Sequence, residues 1–101
     1  MLVHMSIYKI KPEKMPNASR VLLSQQEKIR GLDARGLRQA FFIESLDESG
    51  MVIWLSIWES LRDVRDFLSS PCNAAIATSL TPYLQNAPEW YEFKILEPVV
   101  S

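Results

Sequence analysis

The order of hydrophobic periodicities along the chain constrains its fold more than any other feature. Four segments, each bounded by turn residues, have the apolar alternation or the dense apolar character that is typical of β-strands. They are residues 2–11, 37–46, 51–58 and 90–96. The polar turn 47–50, which ends in glycine, is all that separates the second segment from the third, so these two segments predict a hairpin.

The segments before and after this hairpin have the periodicity of helices. Apolar residues spaced three and four apart predict a helix over residues 15–29, and Gly31 is expected to end it in the left-handed conformation. A second helical region over residues 60–83 is predicted to be divided in two, because Ser60 and Ser70 are both good N-caps. The resulting order, βαββαβ, predicts an α+β, ferredoxin-like fold, an antiparallel sheet with helices on one face.

Length and composition limit the classes of function. The chain has 101 residues, which predicts a single domain over 1–101, and Pro98 is expected to end the last strand. A net charge of -1 gives no electrostatic case for a nucleic-acid or anionic-membrane partner. One Cys and one His cannot build a zinc site from these residue types, and three glycines leave no dinucleotide- or phosphate-binding loop. We therefore expect no metal and no cofactor.

The sequence predicts neither a signal peptide nor a membrane segment. The N-terminus lacks a basic stretch followed by ~7–15 apolar residues. The longest unbroken apolar run is Met51–Leu55, much shorter than the ~20 residues of a spanning helix. The unpaired Cys72 agrees with a reducing compartment, so cytoplasm is the expected location.

The third strand is apolar on both faces, which a helical layer on one side cannot satisfy. Ile53, Leu55 and Ile57 lie on one side, and Trp54 and Trp58 lie on the other. Because a large apolar patch in water is unfavourable, we expect a homodimer that pairs sheet against sheet about a two-fold axis. A monomer with scattered exposed aromatic side chains is the alternative.

The segment 44–60 carries a more specific signal, because a strand, an acidic turn and an apolar strand lead into Trp58-Glu59-Ser60 at the start of a helix. Together with residues 67–71 and 11–13, it resembles the antibiotic biosynthesis monooxygenase superfamily. The resemblance covers nearly the whole chain and implies a dimeric α+β barrel made of two ferredoxin-like protomers. Known members include cofactor-free monooxygenases of phenolic polyketides, quinol monooxygenases, haem-degrading enzymes and proteins without an assigned activity.

The haem-degrading branch of that superfamily can be compared residue by residue. It uses an Asn on the first strand, a Trp in the helix after the Trp-Glu-Ser element, and a His that binds the iron. The equivalent positions in this chain are Ser6, Phe67 and Ile76, and all three depart from the pattern. Because Ile76 has no donor atom for iron, haem degradation is not expected.

Candidate catalytic residues lie on the first strand, where His4, Ser6 and Tyr8 alternate onto one face. In cofactor-free oxygenation an ionised phenol or hydroquinone itself reduces dioxygen, so the protein supplies an apolar pocket, an orienting hydrogen bond and a base. His4 is the candidate base, Ser6 would orient a substrate oxygen, and Tyr8 would donate to a phenolate. The structural alternatives are a half-exposed His, a small packed Ser and a packed Tyr ring.

Aromatic, apolar and amide side chains are candidates for the walls of a pocket between the helices and the sheet. The tryptophans are alternatively core or interface residues, and the asparagine is alternatively a helix cap. These candidate binding residues are Trp54, Trp58, Phe67, Asn73, Ile76 and Tyr83.

Two functions follow from this combination of residues and resemblance. The first is a cofactor-independent monooxygenase that acts on a small phenolic or quinol substrate. The alternative is a non-catalytic homodimer that binds a small aromatic molecule, or a related isomerase or decarboxylase. An enclosed pocket beside His4, Ser6 and Tyr8 would favour binding or catalysis, whereas a tightly packed face would weaken both. Because both strand faces are apolar, the sequence leaves open which one lines the pocket.

Overall fold

The computed structural model describes residues 1–97 and 99, so Pro98 lies outside the described residues. The strands and helices follow the predicted order, and the second helical region is divided as expected. The elements are β1 (Leu2–Lys9), α1 (Met15–Arg30), β2 (Leu37–Glu44), β3 (Met51–Trp58), α2 (Leu61–Leu68), α3 (Pro71–Leu80) and β4 (Glu89–Lys94). Short 3-10 helices, Pro12–Lys14 and Thr81–Tyr83, precede α1 and follow α3. The predicted α+β, ferredoxin-like fold is confirmed.

The strands form one antiparallel sheet in the order β2-β3-β1-β4, so β2 and β4 are its edges. The register aligns Phe42, Trp54, Ser6 and Trp90 in one row across all four strands. Directly opposed residues project to the same face of a sheet. This row therefore identifies which residues of each strand share a side with Ser6.

The inner face, which carries the helices, contains Ser6, its alternating neighbours His4 and Tyr8, and the matching residues of β3. On β3, Val52, Trp54, Ser56 and Trp58 are all buried, with at most 4% of any of them exposed. The helices cover this face with a set of buried apolar side chains. They are Ala18, Leu22 and Ile29 of α1, Val64 and Phe67 of α2, and Ile76 and Leu80 of α3.

The outer face, on the opposite side, is equally apolar but much less buried. Phe41, Ile43, Tyr91 and Phe93 on the two edge strands are 45–51% exposed. The central strands contribute half-buried side chains, namely Val3, Met5, Ile7, Met51, Ile53, Leu55 and Ile57. Within residues 1–97 and 99, no helix packs on this face. The two-sided apolar pattern predicted from the sequence is therefore present in the folded chain.

The second strand ends earlier than the sequence pattern predicted, at Glu44 rather than Leu46. The reason is local, because the Ser45 hydroxyl accepts hydrogen bonds from the backbone N–H groups of Asp47 and Glu48. These bonds begin the turn at Ser45, and Leu46 is left fully exposed.

The prediction that Gly31 takes the left-handed conformation is wrong, since its φ is −82°. Its N–H bonds the carbonyl of Glu27 at 3.2 Å, which continues the right-handed spiral for one residue. The positive φ values occur instead at Gly36 (80°) and Gly50 (84°). At Gly50 a Cβ atom would overlap the carbonyl oxygen of Ile10, so this turn requires glycine for space as well as conformation.

Both predicted helix caps are present. The Ser60 hydroxyl accepts from the backbone N–H of Asp63 at 3.2 Å, and the Ser70 hydroxyl accepts from that of Asn73 at 3.2 Å. Each bond satisfies an N–H group that has no partner within its own helix. The caps fix the starts of α2 and α3, the helices that lie over the inner face.

Candidate functional site

The three candidate catalytic side chains of β1 lie together in the interior. His4, Ser6 and Tyr8 are 0%, 2% and 6% exposed, respectively. A hydrogen bond of 2.9 Å joins Nε2 of His4 to the hydroxyl of Ser6. The structure thus places the polar face of β1 beneath the helices, in tightly packed surroundings rather than in an open pocket.

Burial shifts the proton affinities of two of these groups in opposite directions. Desolvation lowers the pKa of His4, with Glu92 opposing the shift and Arg65 adding to it, so the imidazole is neutral near pH 7. Desolvation raises the pKa of Tyr8, with the Ser6 hydroxyl opposing, so the phenol keeps its proton. The inner face of β1 therefore holds a neutral base at His4 and a neutral proton donor at Tyr8.

Two ring nitrogens in this interior are buried without a hydrogen-bond partner among the described residues. They are Nδ1 of His4 and Nε1 of Trp54, whose rings lie edge to face with centroids 5.7 Å apart. The indole N–H is a donor, and Nδ1 is an acceptor when Nε2 carries the imidazole proton. An unpaired buried polar atom costs about 1–3 kcal/mol, so such groups require an explanation.

The neighbouring tryptophan differs in this respect. Trp58 donates its indole N–H to the Ser56 hydroxyl at 2.8 Å and is fully satisfied. Both tryptophan rings contact Phe67, with centroid distances of 5.5 Å to Trp54 and 5.4 Å to Trp58. Trp58 and Phe67 therefore lie in the core, and of these two tryptophans Trp54 is the one whose indole N–H has no partner among the described residues.

A surface cleft of about 450 Å³ lies between the C-terminal half of α1 and strand β2, and Trp54 is one of its walls. A volume of this size is in the range of small-molecule sites. Its apolar lining consists of Ile29, Leu32, Leu37, Ala40, Phe41, Phe42 and Trp54. Its polar lining consists of Gln26, Arg30, Arg38 and Gln39. Trp54 thus lines the cleft and also packs against the ring of the buried His4.

Of the nine predicted site residues, Trp54 is the one that lines this cleft. Ile76 packs in the core at 5% exposure, and Tyr83 is half-buried against it. Asn73 has a structural contact, because its side-chain amide donates to the carbonyl of Leu68 at 3.0 Å and so links α3 to the end of α2.

Sequence reasoning missed the polar residues of the cleft. Arg38 and Gln39 are two consecutive polar residues in a strand that is otherwise apolar as far as Ile43, and this interruption is the signal that was available. The register of β2 against β3 shifts between Leu37 and Gln39, so the strand has a bulge there. Bulges redirect side chains and are frequent beside functional sites.

The part of the chain that the structure describes contains neither a candidate metal site nor a candidate membrane span. There, no three His, Cys, Asp or Glu residues group in a way that could hold a metal ion. None of the helices described is both long and apolar enough to cross a bilayer.

Comparison with known proteins supports the fold. No family model and no curated protein matches the sequence. Among solved structures, a Deinococcus radiodurans protein provisionally named an antibiotic biosynthesis monooxygenase has a TM-score of 0.83 and 16% identity, over 100% of this chain and 98% of that one. A Caulobacter crescentus protein with the same provisional name has a TM-score of 0.83 and 18% identity, over 95% and 90%.

A third structure is a variant of SnoaB, a cofactor-independent oxygenase from Streptomyces nogalater. It has a TM-score of 0.77 and 13% identity, over 99% of this chain and 97% of that one. This chain has the fold of the antibiotic biosynthesis monooxygenases. The resemblance predicted from residues 44–60 is thereby confirmed for the architecture, and at these identities the likeness concerns the fold alone.

Proposed function

We propose that this protein is a cofactor-independent monooxygenase that acts on a small phenolic or quinol substrate bound in the α1–β2 cleft. The observation that carries the proposal is the pair of unpartnered, buried ring nitrogens on His4 and Trp54, because Trp54 lines the cleft and its ring packs against that of His4. The fold shared with SnoaB, named as a cofactor-independent oxygenase, supports the same class of reaction. Fold alone does not determine activity, so the proposal depends on the site.

The proposed proton path runs from the cleft to His4. A single water molecule that accepts from the Trp54 indole N–H and donates to Nδ1 of His4 would satisfy both free nitrogens. A phenolic proton passed to this water reaches the neutral imidazole, whose lowered pKa keeps it able to accept at pH 7. This path uses the tautomer in which His4 Nε2 donates to the Ser6 hydroxyl and Nδ1 is left as the acceptor.

The ionised substrate then supplies all the electrons that dioxygen needs. The phenolate transfers one electron to dioxygen, the two radicals combine into a ring hydroperoxide, and loss of water leaves a quinone. For a hydroquinone the net reaction takes up one dioxygen and gives a hydroxyquinone and one water. One oxygen atom enters the ring, the other leaves as water, and no external reductant is consumed.

We also propose that the active form is a homodimer in the cytoplasm, in which two outer faces cover one another. The half-exposed outer-face aromatic side chains support the dimer, because an apolar patch of this extent is unfavourable in water.

The test is dioxygen uptake with a panel of small phenols and hydroquinones, with no metal or cofactor added. We expect protein-dependent uptake with at least one substrate and incorporation of one atom from labelled dioxygen. His4→Gln should reduce kcat/KM by about 100-fold and abolish its rise with pH, the signature of a base, whereas Arg62→Gln on the exposed side of α2 should have no effect. Uptake equal to the spontaneous rate with every substrate would contradict the proposal.

The tight packing around His4, Ser6 and Tyr8 weakens both a catalytic and a binding role for these three side chains, so the cleft itself favours a second function, which is binding alone. A protein that only binds an aromatic molecule needs the cleft and no accessible base. Saturable binding in the cleft without dioxygen uptake would favour this function.

A further inference from the structure

We infer that the α1–β2 cleft selects an anionic aromatic ligand, one that carries a carboxylate or an ionised phenol, through Arg30 and Arg38. The inference rests on the proposed function in that it assigns a ligand class to the same cleft. It concerns binding, however, and not oxygenation.

The charged side chains that line the cleft are both positive, and each lies close to a carboxylate outside the lining, Glu27 or Glu59. Arg30 comes from the last turn of α1 and Arg38 from β2, and none of the residues that line the cleft is acidic. Two cations on opposite walls of a pocket that is otherwise apolar or amide-lined create a positive potential at its mouth. A neutral ligand makes no use of this potential, whereas a single negative charge does.

Each arginine has an existing ion pair, but neither pair removes the capacity to bind an anion. Arg30 contacts Glu27 at 2.7 Å, and both side chains are 70% exposed. Arg38 pairs with Glu59, and these side chains are also about half exposed. Exposed pairs of this kind contribute little, and a guanidinium has five N–H donors, so an incoming anion can share or replace either carboxylate.

The geometry of β2 explains why Arg38 is available. Where the register shifts between Leu37 and Gln39, Arg38 has no cross-strand partner on β3. The bulge frees this side chain from the regular alternation of the strand and leaves it at the rim of the cleft.

The walls of the cleft define the rest of the ligand. Phe42 and Trp54 supply aromatic surface, Ile29 and Ala40 supply aliphatic surface, and Gln26 supplies a neutral hydrogen-bonding group. This lining suits a flat ring system better than a sugar or a free phosphate. We therefore expect the ligand to have one aromatic ring, or two fused aromatic rings, and one acidic substituent.

The inference can be tested by isothermal titration calorimetry with two ligands of the same shape, 2-naphthoate and the neutral 2-naphthamide. We expect the wild-type protein to bind naphthoate about tenfold more tightly than naphthamide, and the preference to decrease as salt is raised. Arg30→Gln and Arg38→Gln should each weaken naphthoate binding about fivefold and leave naphthamide binding unchanged. Arg20→Gln, an exposed arginine on the same helix that does not line the cleft, is the matched control and should have no effect.

Equal affinity for the two ligands, no binding of naphthoate, or equal losses in all three variants would overturn the inference. Its failure and that of the proposed function are distinguishable. A preference for naphthoate without dioxygen uptake by any substrate supports the binding inference and contradicts oxygenation. Uptake with neutral hydroquinones, combined with no preference for naphthoate, contradicts the inference and supports oxygenation.

Discussion

The inner and outer faces of the sheet both carry apolar side chains, but they differ in which side chains are buried. On the inner face, His4, Ser6 and Ser56 are buried beneath the helices, with at most 2% of any of them exposed. On the outer face, aromatic side chains such as Phe41 and Phe93 are about half exposed. In a monomeric protein that faces water on one side, polar groups are expected outside and apolar groups inside.

This difference favours different roles for the two faces. Buried polar groups need hydrogen-bond partners, and a core built for stability alone would have little reason to contain an imidazole with a free Nδ1. Exposed aromatic groups are unfavourable unless something covers them. The inner face is therefore the candidate for chemistry, and the outer face is the candidate for assembly.

The largest expected effect concerns the apolar part of the inner face. Trp58→Ala removes a side chain that is 1% exposed and should lower the free energy of unfolding by about 3–5 kcal/mol, since it leaves a cavity. The matched control is Trp90→Ala on the edge strand, where the side chain is 58% exposed and the loss should be below about 1 kcal/mol. Urea denaturation measures both, and similar losses would contradict the assigned burial.

Placing a charge on the outer face tests whether this face forms the proposed dimer interface. Leu55 lies in the middle of this face, with Met5 and Phe41 as its cross-strand partners. Leu55→Arg should weaken dimerisation about 100-fold, or about 3 kcal/mol, because the dimer would bury an unpaired charge.

The readout for Leu55→Arg is the dependence of the unfolding midpoint on protein concentration. A dimer becomes more stable with concentration by mass action, and the variant should lose this dependence. Arg62→Glu, an exposed charge change on α2, should keep it. If the wild type already lacks the dependence, the outer face has no partner of its own kind.

The parts of the fold that depend on residues within one short segment were predictable from the sequence. The third strand was predicted with its observed bounds, Met51–Trp58, and the Ser60 and Ser70 caps were predicted from residue type and position. The error at Leu46 arose because the Ser45 side chain begins the turn, which the apolar pattern does not reveal.

The site was less predictable because it depends on long-range packing. The face of β1 that holds His4 could not be assigned, since both faces of the sheet are apolar and contact with the helices alone distinguishes them. The cleft was missed because Arg30 and Arg38 are brought together by the position of β2 at the sheet edge beside α1, which residue spacing does not encode.

The buried imidazole should make stability depend on pH. Because burial lowers the pKa of His4 in the folded state below the usual 6.5, the unfolded chain binds the proton first as the pH falls. The contribution of His4 is fully present above about pH 6.5 and is lost as the pH falls through the folded-state pKa.

His4→Gln should remove this pH dependence, whereas Ser6→Ala, which keeps the imidazole, should retain it. Unfolding free energies at about pH 7.5, 6.5 and 5.5 measure the slope for each variant. Identical slopes for wild type and His4→Gln would show that His4 is not the buried neutral group described here.

The smallest expected effect concerns a helix that covers the inner face. Ser60→Ala removes the hydroxyl that accepts from the N–H of Asp63, and it should lower the free energy of unfolding by about 1 kcal/mol. Ser60→Thr, which preserves both the acceptor and the hydroxyl that donates to the Asp63 carboxylate, should retain most of the stability. A loss in the alanine variant comparable to that of Trp58→Ala would contradict a purely local capping role.

The measurement that tests this division of the sheet most directly is sedimentation velocity of the wild-type protein at micromolar concentration. If the outer face is covered by a second copy, the dominant species has twice the chain mass of 11.6 kDa. A single species of 11.6 kDa would contradict the account, because the outer face would then lie exposed in solution.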